Sequence, residues 1–143
     1  MPEADSSDHD LGLDITIAAL RFLRDTRNGA PVSPEQLSLL TTLACNGAPV
    51  GLKELASIEK INRSTLTGFL NLLEQSGLVI RCPHPYDSRR VTARITSYGY
   101  EVIDQCKKYY GDQLRKMDVT SRRLIQLCAR LHPQMLDLAR FEE

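Results

Sequence analysis

Long apolar runs are missing from this sequence. None approaches the roughly eighteen consecutive residues that a membrane span needs. The first ten residues, MPEADSSDHD, are acidic where a signal peptide would be basic and then apolar. No membrane contact and a cytoplasmic location are therefore expected. Cysteine is sparse and scattered: Cys45, Cys82, Cys106 and Cys128 form no CxxC pair and no recurrent spacing, which argues against a disulfide framework. Three of the four lie in apolar helical stretches, where a free cysteine behaves as a small hydrophobe. Cys82 falls where a strand meets a proline-rich loop and is the one expected to be exposed. Metal ligands are not clustered either, because His9, His84 and His132 lie far apart in the sequence. A hydrolase built on Cys82 and His84, which share a strand face, would have no orienting third group and no oxyanion site. No enzymatic activity, cofactor or metal is expected.

What the chain does have is an ordinary globular composition. Its 143 residues are 42% apolar and 25% charged, one domain's worth with a core of its own. Net charge is zero but unevenly spread. Residues 1 to 14 hold five acids (Glu3, Asp5, Asp8, Asp10, Asp14) and no Lys or Arg, leaving +5 on the rest. From Lys60 to Arg94, six basic residues (Lys60, Arg63, Arg81, Arg89, Arg90, Arg94) meet only Glu74 and Asp87, a local +4. A basic patch on a neutral protein points to an anionic partner met by one face.

Periodicity gives about six helices and one hairpin. Leu11 to Arg27 is apolar around most of its circumference and is stopped by Asn28-Gly29. Ser33-Pro34-Glu35-Gln36 opens the next helix, with Ser33 as N-cap, Pro34 in the first turn and Gln36 closing a capping box, and Gly47 ends it. Gly51 to Glu59 is a short helix, Lys60-Ile61 a tight turn, and Asn62 the cap of a further helix. Tyr98 to Met117 and Ser121 to Leu131 are apolar helices, and Pro133 sets off a last short one to Phe141.

The helix after Asn62 buries a clean stripe, since Leu66, Phe69, Leu70 and Leu73 recur at i, i+3, i+4 and i+7. Its opposite side carries Ser64, Thr67, Gly68, Asn71 and Gln75, short or amide-bearing and uncharged. A merely solvated face would be filled with Lys and Glu. Two helices joined by a tight turn, the second showing short polar side chains, form a helix-turn-helix pattern. Such side chains reach base edges or phosphates at close range, where long charged ones would hold the helix away. Gly68 lowers helix propensity by about 1 kcal/mol relative to Ala. Close approach of a DNA backbone would justify that, and so would crowding against a neighbouring helix. Downstream, Leu78 to Arg81 and Val91 to Thr96 read as strands joined by CPHPYDSRR, with Val91, Ala93 and Ile95 packing while Thr92, Arg94 and Thr96 stay wet. Arginines at the tip suit a narrow minor groove, and Asp87 is expected to pair with Arg89 or a neighbour and fix the tip.

The segment KELASIEKINRSTLTGFLNLLEQSGLVIR, followed by DSRRVTARITSYG, resembles the winged helix-turn-helix of the MarR (multiple antibiotic resistance regulator) family. The matching features are the LA and STLT segments, LLEQSGLVIR, the D-x-R of Asp87 and Arg89, and the I-T-x-x-G of Ile95, Thr96 and Gly99, together covering about residues 50 to 103. The resemblance implies a homodimeric transcription regulator, a repressor relieved by a small-molecule signal. Lys60 stands where the family often has glycine, which predicts a slightly opened turn. The N-terminal helix has no cysteine, so the thiol of the family's peroxide-sensing branch is lacking. An effector pocket would draw on Tyr98, Tyr100, Tyr109 or Tyr110, although tyrosines on amphipathic helices are more often core; no ligand-binding residues are assigned.

The expected fold is therefore mainly α with a small β-hairpin wing, a winged helix-turn-helix flanked by N- and C-terminal dimerisation helices. Residues 1–10 would be an acidic, flexible N-terminus and 11–143 a single MarR-like domain, with dimerisation helices at 11–30 and 98–143 and a DNA-binding lobe at 33–97. The terminal helices hold more apolar surface than a small DNA-binding domain covers, which supports a homodimer. Two-fold symmetry then predicts an inverted-repeat operator in double-stranded DNA. Candidate DNA-binding residues are Arg63, Ser64, Thr65, Thr67, Gly68, Asn71 and Gln75 on the helix, and Arg89, Arg90 and Arg94 on the wing, with Asp87 structuring the wing. The rival reading is a winged-helix protein that uses the same face for another protein without DNA.

Overall fold

The structure, a computed structural model, describes residues 6–131, which group into two compact units: residues 31–108, and the described residues on either side of that span. In the central unit, α2 (Pro34–Asn46) begins on Ser33, whose hydroxyl accepts from the Gln36 N–H at 3.2 Å while the Gln36 side chain accepts from the Ser33 N–H at 3.0 Å. Gly47 ends it in the left-handed conformation, φ 62°, which glycine adopts without steric cost. The capping box and the Pro34 start are as the sequence predicts.

Helix α3 (Leu52–Glu59) is followed by the turn and by α4 (Arg63–Gln75). Lys60 takes the left-handed conformation itself, φ 55°, with its N–H donating to the Ser57 carbonyl at 3.3 Å and the Ile61 N–H to the Ala56 carbonyl at 3.1 Å. The turn is closed, not opened. Lysine adopts the glycine-like geometry and bears the strain. Glu59, the last residue of α3, would oppose the helix dipole there, but its carboxylate accepts from the hydroxyls of Thr42 at 2.6 Å and Ser38 at 2.7 Å, which ties α3 to α2.

Strands β2 (Val79–Pro83) and β3 (Val91–Ile95) pair antiparallel, with Ile80 opposite Arg94 and Cys82 opposite Thr92. A third strand was not foreseen. The two-residue β1 (Val50–Gly51) lies on the other side of β3, Val50 against Ala93 and Gly51 against Thr92, so the sheet order is β1-β3-β2. Two residues are too few to show alternation. The wing strand accordingly departs from the expected pattern: Thr92 is buried and its hydroxyl donates to the Cys82 carbonyl at 3.1 Å, while Val91 is exposed. Leu39, Leu40, Leu43, Leu55, Leu66, Leu70, Leu73 and Val79 form the fully buried centre of this unit.

Helix α5 (Ser97–Arg115) starts from a joint that explains the I-T-x-x-G motif. The Thr96 hydroxyl donates to the Gly77 carbonyl at 2.7 Å and accepts from the Gly99 N–H at 3.1 Å. A Cβ at position 99 would run into the Leu78 carbonyl and the Ile95 side chain.

In the other unit, α1 (Ser6–Thr26) packs on α6 (Val119–Leu131). The first helix begins five residues before Leu11, with Asp8 in its first turn where the dipole favours an acid, so part of the acidic stretch is helical. The Tyr109 hydroxyl donates to the Thr26 carbonyl at 2.5 Å, and the Tyr110 ring lies 6.1 Å from that of Phe22 and 5.1 Å from that of Tyr109. Leu13, Ile17 and Leu20 of α1 remain exposed. Helix α6 starts two residues before Ser121 because Asp118 caps it, accepting from the Ser121 N–H at 2.9 Å. That N–H, and then the Ser121 hydroxyl, hold the Asp118 carboxyl below the ordinary range. The expected helix from Pro133 to Phe141 and the side chains of Leu124, Leu127, Cys128 and Leu131 lie outside the described residues. No helix among the described residues is long and apolar enough to cross a membrane.

Candidate nucleic-acid interface

The two faces of α4 separate as the sequence spacing predicts. Leu66, Leu70 and Leu73 are buried, Phe69 is half-buried, and Ser64, Thr65, Gly68, Asn71 and Gln75 are exposed beside the exposed Arg63. Asn62 caps the helix by accepting from the Thr65 N–H at 2.8 Å. Thr67 is half-buried and its hydroxyl donates to the Arg63 carbonyl at 2.9 Å, so that group is engaged by its own helix. A Cβ added at Gly68 would meet nothing within 4 Å. Among the described residues, crowding by another helix is therefore not the reason for glycine there. Leu72, one turn beyond Gly68, is 51% exposed on this side. Sequence reasoning passed over it, although it falls outside the Leu66-Phe69-Leu70-Leu73 stripe.

The tip of the hairpin is organised around Asp87. Its Oδ1 accepts from the Arg89 N–H at 3.0 Å and lies 3.5 Å from the Arg89 Nε, while Oδ2 lies 3.7 Å from the Arg90 Nε. Its carbonyl accepts from the Arg90 N–H at 3.0 Å, and the His84 N–H donates to the Arg90 carbonyl at 3.0 Å. The backbone of the tip is thus fixed, while the side chains of Arg89 and Arg90 are 91% and 72% exposed. Tyr86, also unassigned from the sequence, stands 94% exposed, its N–H donating to His84 Nδ1 at 3.2 Å. Arg94 is exposed on β3 and makes no ion pair among the described residues. Arg81 behaves differently. Its Nε is 2.5 Å from a Glu74 carboxylate oxygen, so two of the charges counted in the basic segment cancel locally.

Between α3, the start of α4 and the hairpin, from its tip back to Thr92, lies a cleft of about 610 Å³. Lys53, Arg63, His84, Arg89 and Arg90 line it, against the single acid Glu54. Cys82, expected to be exposed, is half-buried, as is Cys45. Cys106 is buried, and desolvation pushes its thiol up against the opposing effect of a backbone hydrogen bond from Val32, so the bland apolar role suits it. Tyr109 and Tyr110 pack onto α1, whereas Tyr98 and Tyr100 are exposed. Among the described residues, no cluster of His, Cys, Asp or Glu could hold a metal.

This geometry has counterparts of known kind. The MarR family model matches residues 32–91. An HTH-type transcriptional regulator of Mycobacterium tuberculosis is 30% identical over 138 residues, 92% of this chain and 96% of that protein. The chain belongs to the MarR family. It is therefore a DNA-binding transcription regulator and not an enzyme. Among solved structures, a mutant E. coli MarR complexed with operator DNA superposes with a TM-score of 0.61 at 20% identity, covering 89% of this chain and 97% of that one. NadR in complex with 4-hydroxyphenylacetate gives 0.62 at 26% identity, covering 92% of each chain. The MarR winged-helix fold, mainly helical with a small antiparallel sheet, is the fold expected from the sequence.

Proposed function

We propose that this MarR-family chain acts as a homodimeric repressor on an inverted-repeat operator and is released by a small organic anion. Helix α4 would enter the major groove with Ser64, Thr65, Gly68, Asn71 and Gln75 toward base edges, and Arg63 and Thr67 toward the flanking backbone. Arg89, Arg90 and Arg94 would hold the wing on phosphates and in the minor groove, with Asp87 fixing its tip. The observation that carries this reading is the uncharged, unobstructed face of α4 around Gly68, in the same compact unit as a rigid hairpin tip with exposed arginines. The exposed leucine and isoleucine row of α1 supports a second copy. The complex of a structural relative with 4-hydroxyphenylacetate supports the effector class.

Binding to the region upstream of its own gene, followed by fluorescence anisotropy across a salt series, tests the assignment. Arg89→Ala should weaken binding to every sequence and lower the salt slope by about one. Asn71→Ala should instead cost about 1–3 kcal/mol on the operator alone, relaxing base preference. The rival use of this face for a protein partner predicts no steep loss of DNA affinity with salt, and that outcome would remove the assignment of roles. Release of the DNA by an aromatic carboxylate tests the effector.

A further inference from the structure

We infer that the cleft between α3, the start of α4 and the hairpin seats a backbone phosphate of the bound duplex, held in part by Lys53 and His84. The inference rests on the operator-binding reading above and adds two residues to it. Lys53, Arg63, Arg89, Arg90 and the His84 imidazole line one cleft with a single acid, Glu54. Lys53, Arg63 and Glu54 make no ion pair among the described residues, and the one Asp87 carboxylate is shared between Arg89 and Arg90. The cleft therefore keeps a net positive charge, and like charges gathered this closely favour an anion between them. Gly51 supplies no side chain to cap α3, which leaves N–H groups of its first turn without a side-chain acceptor.

His84 has a defined orientation. Its Nδ1 accepts from the Tyr86 N–H at 3.2 Å, so a neutral ring carries its proton on Nε2. That nitrogen is the remaining polar atom of a ring that lines the cleft, and it is a donor. A phosphodiester oxygen is matched by this set: point charge from lysine, planar guanidinium from Arg63, and a directed N–H from His84. The occupant is assigned to duplex DNA, and not to a free anion, because Arg63 opens α4 and Arg89 and Arg90 belong to the wing.

The pair of substitutions His84→Asn and His84→Gln separates binding from structure. Asparagine places an acceptor near the Nδ1 position and can keep the Tyr86 N–H, but has no donor at the Nε2 position. Glutamine places a donor near Nε2 and gives up the acceptor. Affinity of the full chain for operator and for unrelated duplex should fall roughly three- to tenfold with His84→Asn and stay near wild type with His84→Gln. Lys53→Gln should reduce the slope of log affinity against log salt by about one. An unchanged slope for Lys53→Gln, or loss with His84→Gln but not with His84→Asn, overturns the seat. If those variants bind DNA as wild type but change the response to inorganic phosphate or an aromatic carboxylate, a small anion is the occupant and the assignment to DNA fails. Retained binding that is still weakened by Arg89→Ala leaves the regulator reading standing in both cases. A wild-type chain whose DNA binding ignores salt overturns both.

Discussion

A methyl group added at position 68 separates folding from contact. Gly68→Ala places it in open space within a helix, where alanine is favoured by about 1 kcal/mol. The free protein should melt a few degrees higher, while operator affinity falls because the added carbon holds the duplex off. Calorimetry and anisotropy read the two effects, and a variant that melts higher yet binds as wild type would assign the glycine no part in contact. Single residues were legible where the rule is local. Ser33, Pro34, Gln36 and Asn62 sit where capping chemistry puts them, because a cap needs only its own first turn. Thr92 was not legible, since its burial depends on a strand forty residues earlier in the chain. Nor was Asp118, because Ser121 is an equally good cap by type and only the backbone path decides between them.

At the level of elements, the turn between α3 and α4 stores strain that glycine would relieve. Lys60→Gly should raise stability by roughly 0.5–1 kcal/mol, read as a higher midpoint in urea with an unchanged slope, because a left-handed cost of about 1–2 kcal/mol for a non-glycine residue is partly offset by the greater backbone entropy that glycine loses on folding. A lower midpoint would mean that lysine is unstrained there. The start of α6 gives a pH prediction. A carboxyl depressed by accepting from the Ser121 N–H contributes stabilisation that is fully present above the ordinary aspartate value of about 3.9 and is lost as pH falls through the lowered one. Protection of the Ser121 amide from exchange should drop only in that acid window, whereas Asp118→Ala should lack the protection at every pH. Helices of eight residues and more were visible from the sequence through their apolar period, and the hairpin through its alternation. The strand β1 was not, because its only structural signature is pairing with β3.

For the whole molecule, the exposed row Leu13, Ile17 and Leu20 on α1 is the surface to challenge. Replacing Ile17 and Leu20 by serine should convert the proposed dimer to a monomer in sedimentation, with operator affinity falling by orders of magnitude once the two proposed half-sites are no longer held together. A variant that stays dimeric would move the interface elsewhere. The part of the candidate site that the proposal turns toward DNA was legible as a surface because its composition is unusual, namely an exposed helix face without lysine or glutamate and a loop ending in exposed arginines. The cleft beside it was not. Lys53 and His84 stand thirty-one positions apart in the chain and only the sheet brings them to one wall.

The short strand on the far side of β3 has a mechanical consequence for the hairpin. Gripped along both flanks as far as Thr92, the wing behaves like a plank bolted at its root, with a self-braced overhang from His84 to Arg90. That overhang is knitted by Asp87 within itself, with no hydrogen bond from it to α3 or α4 among the described residues. In the proposed operator-binding role, its letters can therefore be rewritten to suit a different stretch of groove while the scaffold beneath goes undisturbed, a modular end-piece on a fixed mount.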